Sequence, residues 1–249
     1  MVRLGSIWLF QKHIKTTNTM PVSLEFIKDR AVKTISAAKQ VTGAWTWDEK
    51  SIAAMETQLA GIAGNKTATS PVAGQESVTS AAEQLMLTAR GSWDTALDQL
   101  HRWTVQGVNM AKTRFRNDPA KSSQLEGLEA RGSSRAGTLD EALAWESAWT
   151  SVDAAWAPLP GLTLAAFSAL RKQANESLKA TYSDARATWR EAAEKLGTLA
   201  AELEDTNEAW YANAIRVFPA GTPEGDMIRG TIPTTYVPKA KEPATAPTP

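Results

Sequence analysis

Leu164-Ala165-Ala166-Phe167-Ser168-Ala169-Leu170 opens a run that reaches Val217 without a proline, and its reading decides the fold. Leu164, Phe167, Leu170, Ala174, Leu178, Thr181, Ala185, Trp189, Ala192, Leu196, Leu199, Leu203, Thr206, Trp210, Ala214 and Val217 follow one another in steps of three and four. That is the spacing of one face of an α-helix. A straight helix of this length would reach roughly 80 Å, and periodic patterns much beyond about 25 residues point to a coiled coil or a bent hairpin. The run reads as one continuous helix, with a tight turn near Tyr182-Ser183-Asp184 as the alternative. Pro158-Leu159-Pro160-Gly161 breaks whatever precedes it, and Thr163 is the expected N-cap.

Part of this run repeats an earlier one. Ala89-Arg90-Gly91-Ser92-Trp93 returns 96 residues later as Ala185-Arg186-Ala187-Thr188-Trp189, and Pro119-Ala120 returns 100 residues later as Pro219-Ala220. The Trp-to-Pro distance grows from 26 to 30 residues, about one helical turn, which lengthens a helix while nearly keeping its face. The pattern predicts a tandem duplication of a helical unit, with long antiparallel helices packed as a bundle or coiled coil. Trp93 and Trp189 become equivalent seam residues whose burial should match.

The expected division is an N-terminal arm at 1–20, copy one at 21–132, copy two at 133–235 and a disordered Pro-rich tail at 236–249. Copy one opens with Ser23 as the cap of a helix reaching Val41, then a helix over 48–62, a breaker-rich loop at 63–76 and a helix over about 77–116. Its expected seam is Val78, Ala82, Leu85, Ala89, Trp93, Ala96, Leu100, Trp103 and Met110 or Ala111. The polar stretch 117–138 is the expected boundary between copies. Thr138 is the expected cap of a helix over 139–156, on which Trp145, Trp149 and Trp156 share a face.

The 27 basic and 27 acidic residues cancel, so nothing global draws the chain to nucleic acid or an anionic membrane. With no cysteine, disulfides, thiolate catalysis and Cys-based zinc sites are excluded. No stretch approaches a membrane span, and the apolar Ile7-Trp8-Leu9-Phe10 is too short for a signal peptide, so the expectation is a cytoplasmic protein.

Sites of chemistry are scarce. A carboxylate-bridged di-iron bundle needs Glu-x-x-His on two helices, and only Asp98-x-x-His101 approaches it, with Gly197 at the equivalent of His101. Gly64-Asn65-Lys66-Thr67 lacks the Gly-Lys-Ser/Thr order and the preceding strand of a phosphate loop. The reading therefore names no catalytic, cofactor-binding or metal-ligating residue. The ten tryptophans read as apolar area buried between helices. Trp45 and Trp47, two apart near a helix start, cannot both face one core on a helix, which makes one of them a candidate for partner contact. Lys112, Arg114 and Arg116, with Lys121, Arg131 and Arg135 beyond them, form a basic cluster around Phe115. A helix C-terminus attracts such cations through its dipole alone, and nucleic-acid binding is the alternative use.

Lys112-Thr113-Arg114-Phe115 through Gln124-Leu125-Glu126-Gly127-Leu128, Phe218-Pro219-Ala220-Gly221-Thr222-Pro223-Glu224-Gly225-Asp226 and Ala157-Pro158-Leu159-Pro160-Gly161-Leu162-Thr163 resemble segments of a loose group of uncharacterised bacterial Trp-rich, all-helical proteins. The resemblance touches about a third of the chain and implies a bacterial source and an all-α fold. Taken together, the expectation is a non-catalytic helical structural or protein-interaction module, self-associating or bound to a protein partner. A nucleic-acid-associated bundle using the cluster around Arg114, or a small-molecule-binding bundle, are the alternatives.

Overall fold

Side-chain caps mark where the helices begin. In this computed structural model, which describes residues 23–64, 73–129, 132 and 134–232, the Ser23 hydroxyl accepts from the Phe26 N–H at 3.2 Å and opens α1, Leu24–Val41. Ser51 caps α2, Ile52–Ala63, and the 40-residue α3 runs over Gln75–Arg114. Asp118 caps the short α4, Pro119–Leu125, whose proline sits in the first turn where no N–H is needed. Ser134 caps α5, Arg135–Asp153, and Thr163 caps α6, Leu164–Lys172. A π-helical segment, Gln173–Leu178, joins α6 to the 39-residue α7, Lys179–Val217, and Thr222 caps α8, Pro223–Arg229. The described residues are all-α; an isolated bridge between Leu159 and Leu162 forms no strand.

Several expectations shift. The cap of α5 is Ser134, which binds the Gly137 N–H at 3.0 Å, whereas Thr138 lies one turn inside and is buried. Residues 119–125, inside the stretch expected as a boundary, and 223–229, for which no element was expected, are helical because an acid or hydroxyl precedes a proline at each start. The run from Leu164 to Val217 is helical throughout, with no turn at Tyr182-Ser183-Asp184. The π-helical segment nevertheless moves its seam. A π turn holds more residues than an α turn, so the covered positions step from Ala174 to Leu178 to Tyr182, and Thr181 is exposed. Val217, past the covered part, is exposed as well.

The chain divides into two compact units, one of residues 1–79 and 192–249, the other of 80–191. Each draws on residues from both sides of the boundary expected at 132 and 133. The arm at 1–20, the tail at 236–249 and much of the loop at 63–76 lie outside the described residues.

In the first unit, α1 packs on α2 and on α8. One core cluster gathers Ile27, Ala31, Ile62, Leu196, Ala200 and Leu203, with Leu59 and Leu199 against it. A second gathers Ile35, Ala38, Val41, Met55, Trp210, Ala214 and Ile228. Residues ascending α1 meet residues ascending α7, so the two helices run parallel there, and α2 returns against them. Gln75 Nε2 and Thr79 Oγ1 both donate to the Ala192 carbonyl, at 3.1 and 3.0 Å.

In the second unit, α5 packs on α4 and α6. Its main core joins Leu100, Val108, Ala111, Phe115 and Leu125 to Trp145, Trp149 and Phe167. Trp145 and Trp149 stack with ring centroids 5.3 Å apart. Trp156 lies beyond the end of α5, not on its face; it still meets Trp149 because the Trp149 Nε1–H donates to the Trp156 carbonyl at 2.9 Å. A smaller cluster joins Trp93, Ala96 and Leu97 to Ala174, and the Trp93 ring lies 5.5 Å from that of Tyr182.

Burial corrects the expected α3 seam. Val78, Leu85 and Met110 are exposed, whereas Ala111 is buried. Ala82, Ala89, Trp93, Ala96 and Leu100 keep the expected seam, whereas Thr79 and Met86, each one residue on, are covered in place of Val78 and Leu85. Trp93 is buried and Trp189 half-buried, so their burial does not match.

Gly107 on α3 makes the approach of Trp145 possible, since a Cβ there would lie 2.7 Å from the indole ring. Alanine is the better helix former by about 1 kcal/mol. Gly107→Ala should nonetheless destabilise the chain by about 1–3 kcal/mol through overpacking. A urea titration followed by circular dichroism checks this; a stabilised variant would mean that Trp145 yields at no cost.

Candidate interaction surfaces and clefts

The basic cluster is largely engaged within its own unit. Lys112 Nζ donates to the Leu128 carbonyl at 2.8 Å. The Arg114 guanidinium lies 5.5 Å from the ring centres of both Phe115 and Trp156, and Lys121 Nζ lies 4.8 Å from Phe115. These cations cover an aromatic wall where α3 ends and α4 begins. Arg116 is exposed, and Arg131 lies outside the described residues. Arg135 is held elsewhere, at the start of α5.

Trp45 and Trp47 are not helical. They lie in the connection between α1 and α2, where residues two apart can point the same way, and both half-buried rings pack against the same cluster around Trp210. Trp45 also meets the Phe218 ring edge-on at 6.2 Å. The premise that made one of them face outward therefore does not hold.

Two clefts open in the second unit. One, of about 270 Å³, lies between α3 and α5 and is walled by Thr104, Val108, Leu128, Asp140, Glu141 and Trp145. The Glu141 carboxylate accepts from the Gly132 N–H at 3.1 Å. The other, of about 220 Å³, is lined by Asp94, Asp98, His101, Gly132, Arg135 and Thr138. Arg135 holds Asp94 with two hydrogen bonds of 2.7 and 2.9 Å, and its guanidinium lies 4.9 Å from the Trp93 ring centre. That pairing holds the Asp94 carboxyl below its ordinary pKa and raises that of Arg135. The His101 ring packs on Gly132, where a Cβ would lie 2.7 Å from it, and its Nδ1 is enclosed without a hydrogen-bond partner. No group of three or more His, Asp or Glu able to hold a metal ion occurs among the described residues. His13, Asn65, Lys66 and Thr67 lie outside them.

Comparison with protein-family models, with curated proteins and with solved structures finds no match. Among the described residues, no helix is long and apolar enough to cross a membrane.

The polar residues of this unit are thus joined mainly to one another. Among the described residues of this unit, Glu146 on α5 forms an enclosed ion pair with Arg171 on α6, and Ser168 also donates to the Glu146 carboxylate. Burial opposes ionisation of Glu146, but the hydrogen bonds from Arg171 and Ser168 and the charges of Arg171 and Lys172 outweigh it, leaving its pKa lowered. The sequence held no signal for this pair, because its partners are 25 residues apart on different helices.

A folded-state pKa below the unfolded one stabilises the chain above the ordinary glutamate range, about 4.3, and that contribution disappears as the pH falls through the lowered value. Glu146→Gln should cost about 3 kcal/mol at neutral pH, since it leaves Arg171 enclosed without its counter-charge. It should also reduce the loss of stability on acidification. Urea midpoints measured from about pH 7 to pH 3 check both effects; parallel curves for the two proteins would show that the pair carries no pH dependence.

Proposed function

We propose that the chain is a non-catalytic helical module that acts by association, with a protein partner or with a second copy, along the exposed side of α3. The observation that carries this reading is the state of α3 early in the second unit. Leu85 is 65% exposed and Leu87 41%, and Glu83 and Arg90 are the only charged residues from Ser77 to Trp93. A solvated helix face ordinarily carries alternating charges, so the exposed Leu85 on this charge-poor stretch marks a contact surface, while Leu87, two residues on, points to another side of the helix.

Two further features support a structural role. In the clefts, Arg135 pairs with Asp94 between α5 and α3, and Glu141 on α5 accepts from the Gly132 N–H, bonds that hold these segments in place. On α7, the covered positions Tyr182, Ala185, Trp189, Ala192, Leu196, Leu199, Leu203, Thr206 and Trp210 alternate steps of three and four, the heptad spacing of a coiled coil. Ala89 and Trp93 of α3 fall at covered positions like Ala185 and Trp189 of α7, which supports descent from one duplicated helix. The engagement of Lys112, Arg114 and Lys121 favours the helix-terminal reading of the basic cluster over nucleic-acid binding.

Replacing Leu85 and Leu87 together with glutamate tests the association. Both are exposed, so helicity and unfolding midpoint should stay within about 0.5 kcal/mol of wild type. Light scattering over a range of concentrations, together with crosslinking in an extract, should show association by the wild-type chain and its loss in the variant. Equal masses and equal crosslinked species for the two proteins would overturn the proposal.

A further inference from the structure

Leu59 packs against both apolar clusters of the first unit, and beside it polar residues stand between the clusters along all three helices that build them. On α1, Arg30 and Thr34 flank Ala31 of one cluster and precede Ile35, Ala38 and Val41 of the other. On α7, Glu204 and Asn207 stand between Leu203 and Trp210. On α2, Gln58 stands between Met55, in one cluster, and Ile62, in the other. Arg30 pairs with Glu204 and lies 3.8 Å from Glu208, which fixes the level at which α1 and α7 meet.

Most of this layer is closed off. Thr34 and Asn207 are both 0% exposed. Thr34 Oγ1, Gln58 Oε1, both amide atoms of Asn207, Arg30 Nε and Glu204 Oε2 are enclosed and have no hydrogen-bond partner in the protein. Left unsatisfied, each such atom loses its hydration with nothing in return, and together they would cancel a large share of a domain's stability. Native proteins satisfy such groups.

The atoms select their ligand. Arg30 Nε, the Asn207 amide nitrogen and the Thr34 hydroxyl donate, whereas Glu204 Oε2, Gln58 Oε1 and Asn207 Oδ1 accept. An anion would face Glu204 and a cation would face Arg30. A small neutral molecule that both donates and accepts suits every member, and water is that molecule.

We propose that this layer is an internal hydration site that fixes the axial register of α1, α2 and α7. Apolar seams with three-four spacing tolerate slippage by a turn, because leucine and alanine layers meet similar neighbours after the shift. The polar layer does not. A one-turn slip of any helix would set Thr34, Gln58 or Asn207 against an apolar layer, where neither protein nor water could satisfy it. The site thus acts within the fold itself, independently of the surface on α3.

The full chain carrying Thr34→Val, Gln58→Met and Asn207→Leu tests the proposal, with the Arg30 and Glu204 pair left intact. Magnetic relaxation dispersion of water should detect long-lived enclosed water in the wild-type chain, and the triple variant should lose that contribution. Amide spectra of the variant should show more than one set of signals, against one set for wild type. Should the triple variant not fold, Asn207→Leu alone is compared in the same two measurements, with the same expected losses. A wild-type chain without enclosed water, a variant that retains the full water contribution, or a variant with one set of signals would each overturn the proposal.

Discussion

The covered stripe of α7, together with α6 and the π-helical segment before it, is the constraint on which both cores rest. Phe167 and Ala174 enter the core clusters of one unit, and Leu196, Ala200, Leu203, Trp210 and Ala214 enter those of the other. A helix this long has no stability of its own sufficient to hold it in water; tertiary burial of one stripe must supply it. Its period therefore has to stay in phase with its partners over many turns. The π-helical segment resets that phase once, between Ala174 and Tyr182, which is why Tyr182 and not Thr181 meets Trp93.

The cores on that stripe are built differently. The second unit relies on large aromatic area: Trp145, Trp149 and Phe167 are each almost fully buried, and Trp156 caps them through a hydrogen bond. Such rings need small neighbours, and Gly107 supplies the space on α3. The first unit uses smaller side chains, with alanines at many buried positions of α1 and α7, so that helices approach closely around Met55, Ile62 and Trp210. Its core is interrupted by a polar layer, whereas polar groups of the second unit gather at its clefts and in the pair of Glu146 with Arg171.

The side chains most suggestive of chemistry serve this packing. Arg135 orders Asp94 while lying over Trp93, and Arg114 and Lys121 lie over Phe115. A guanidinium over an indole is attracted by the ring quadrupole while keeping part of its hydration, so charged residues can line an aromatic core without being buried. For the association proposed above, the charge-poor stretch of α3 around Leu85 is a surface that these bonds do not occupy.

The all-α class, the long helical run from Leu164 to Val217, the caps at Ser23 and Thr163, and the burial of Trp93, Trp145 and Trp149 were legible in the residues alone, because periodicity and capping are local properties of the chain. The sequence pattern missed α4 and α8, whose few residues carry too little periodicity to register, and it placed the α3 seam one step aside at Leu85, since either stripe satisfies a three-four pattern. Tertiary packing settled which stripe is covered, that Trp45 and Trp47 turn to one core, that each compact unit joins residues from both sides of 132 and 133, and that Arg30 pairs with Glu204. Those outcomes depend on the three-dimensional meeting of residues far apart in the chain, such as Arg30 and Glu204, 174 positions apart, and no local pattern encodes such a meeting.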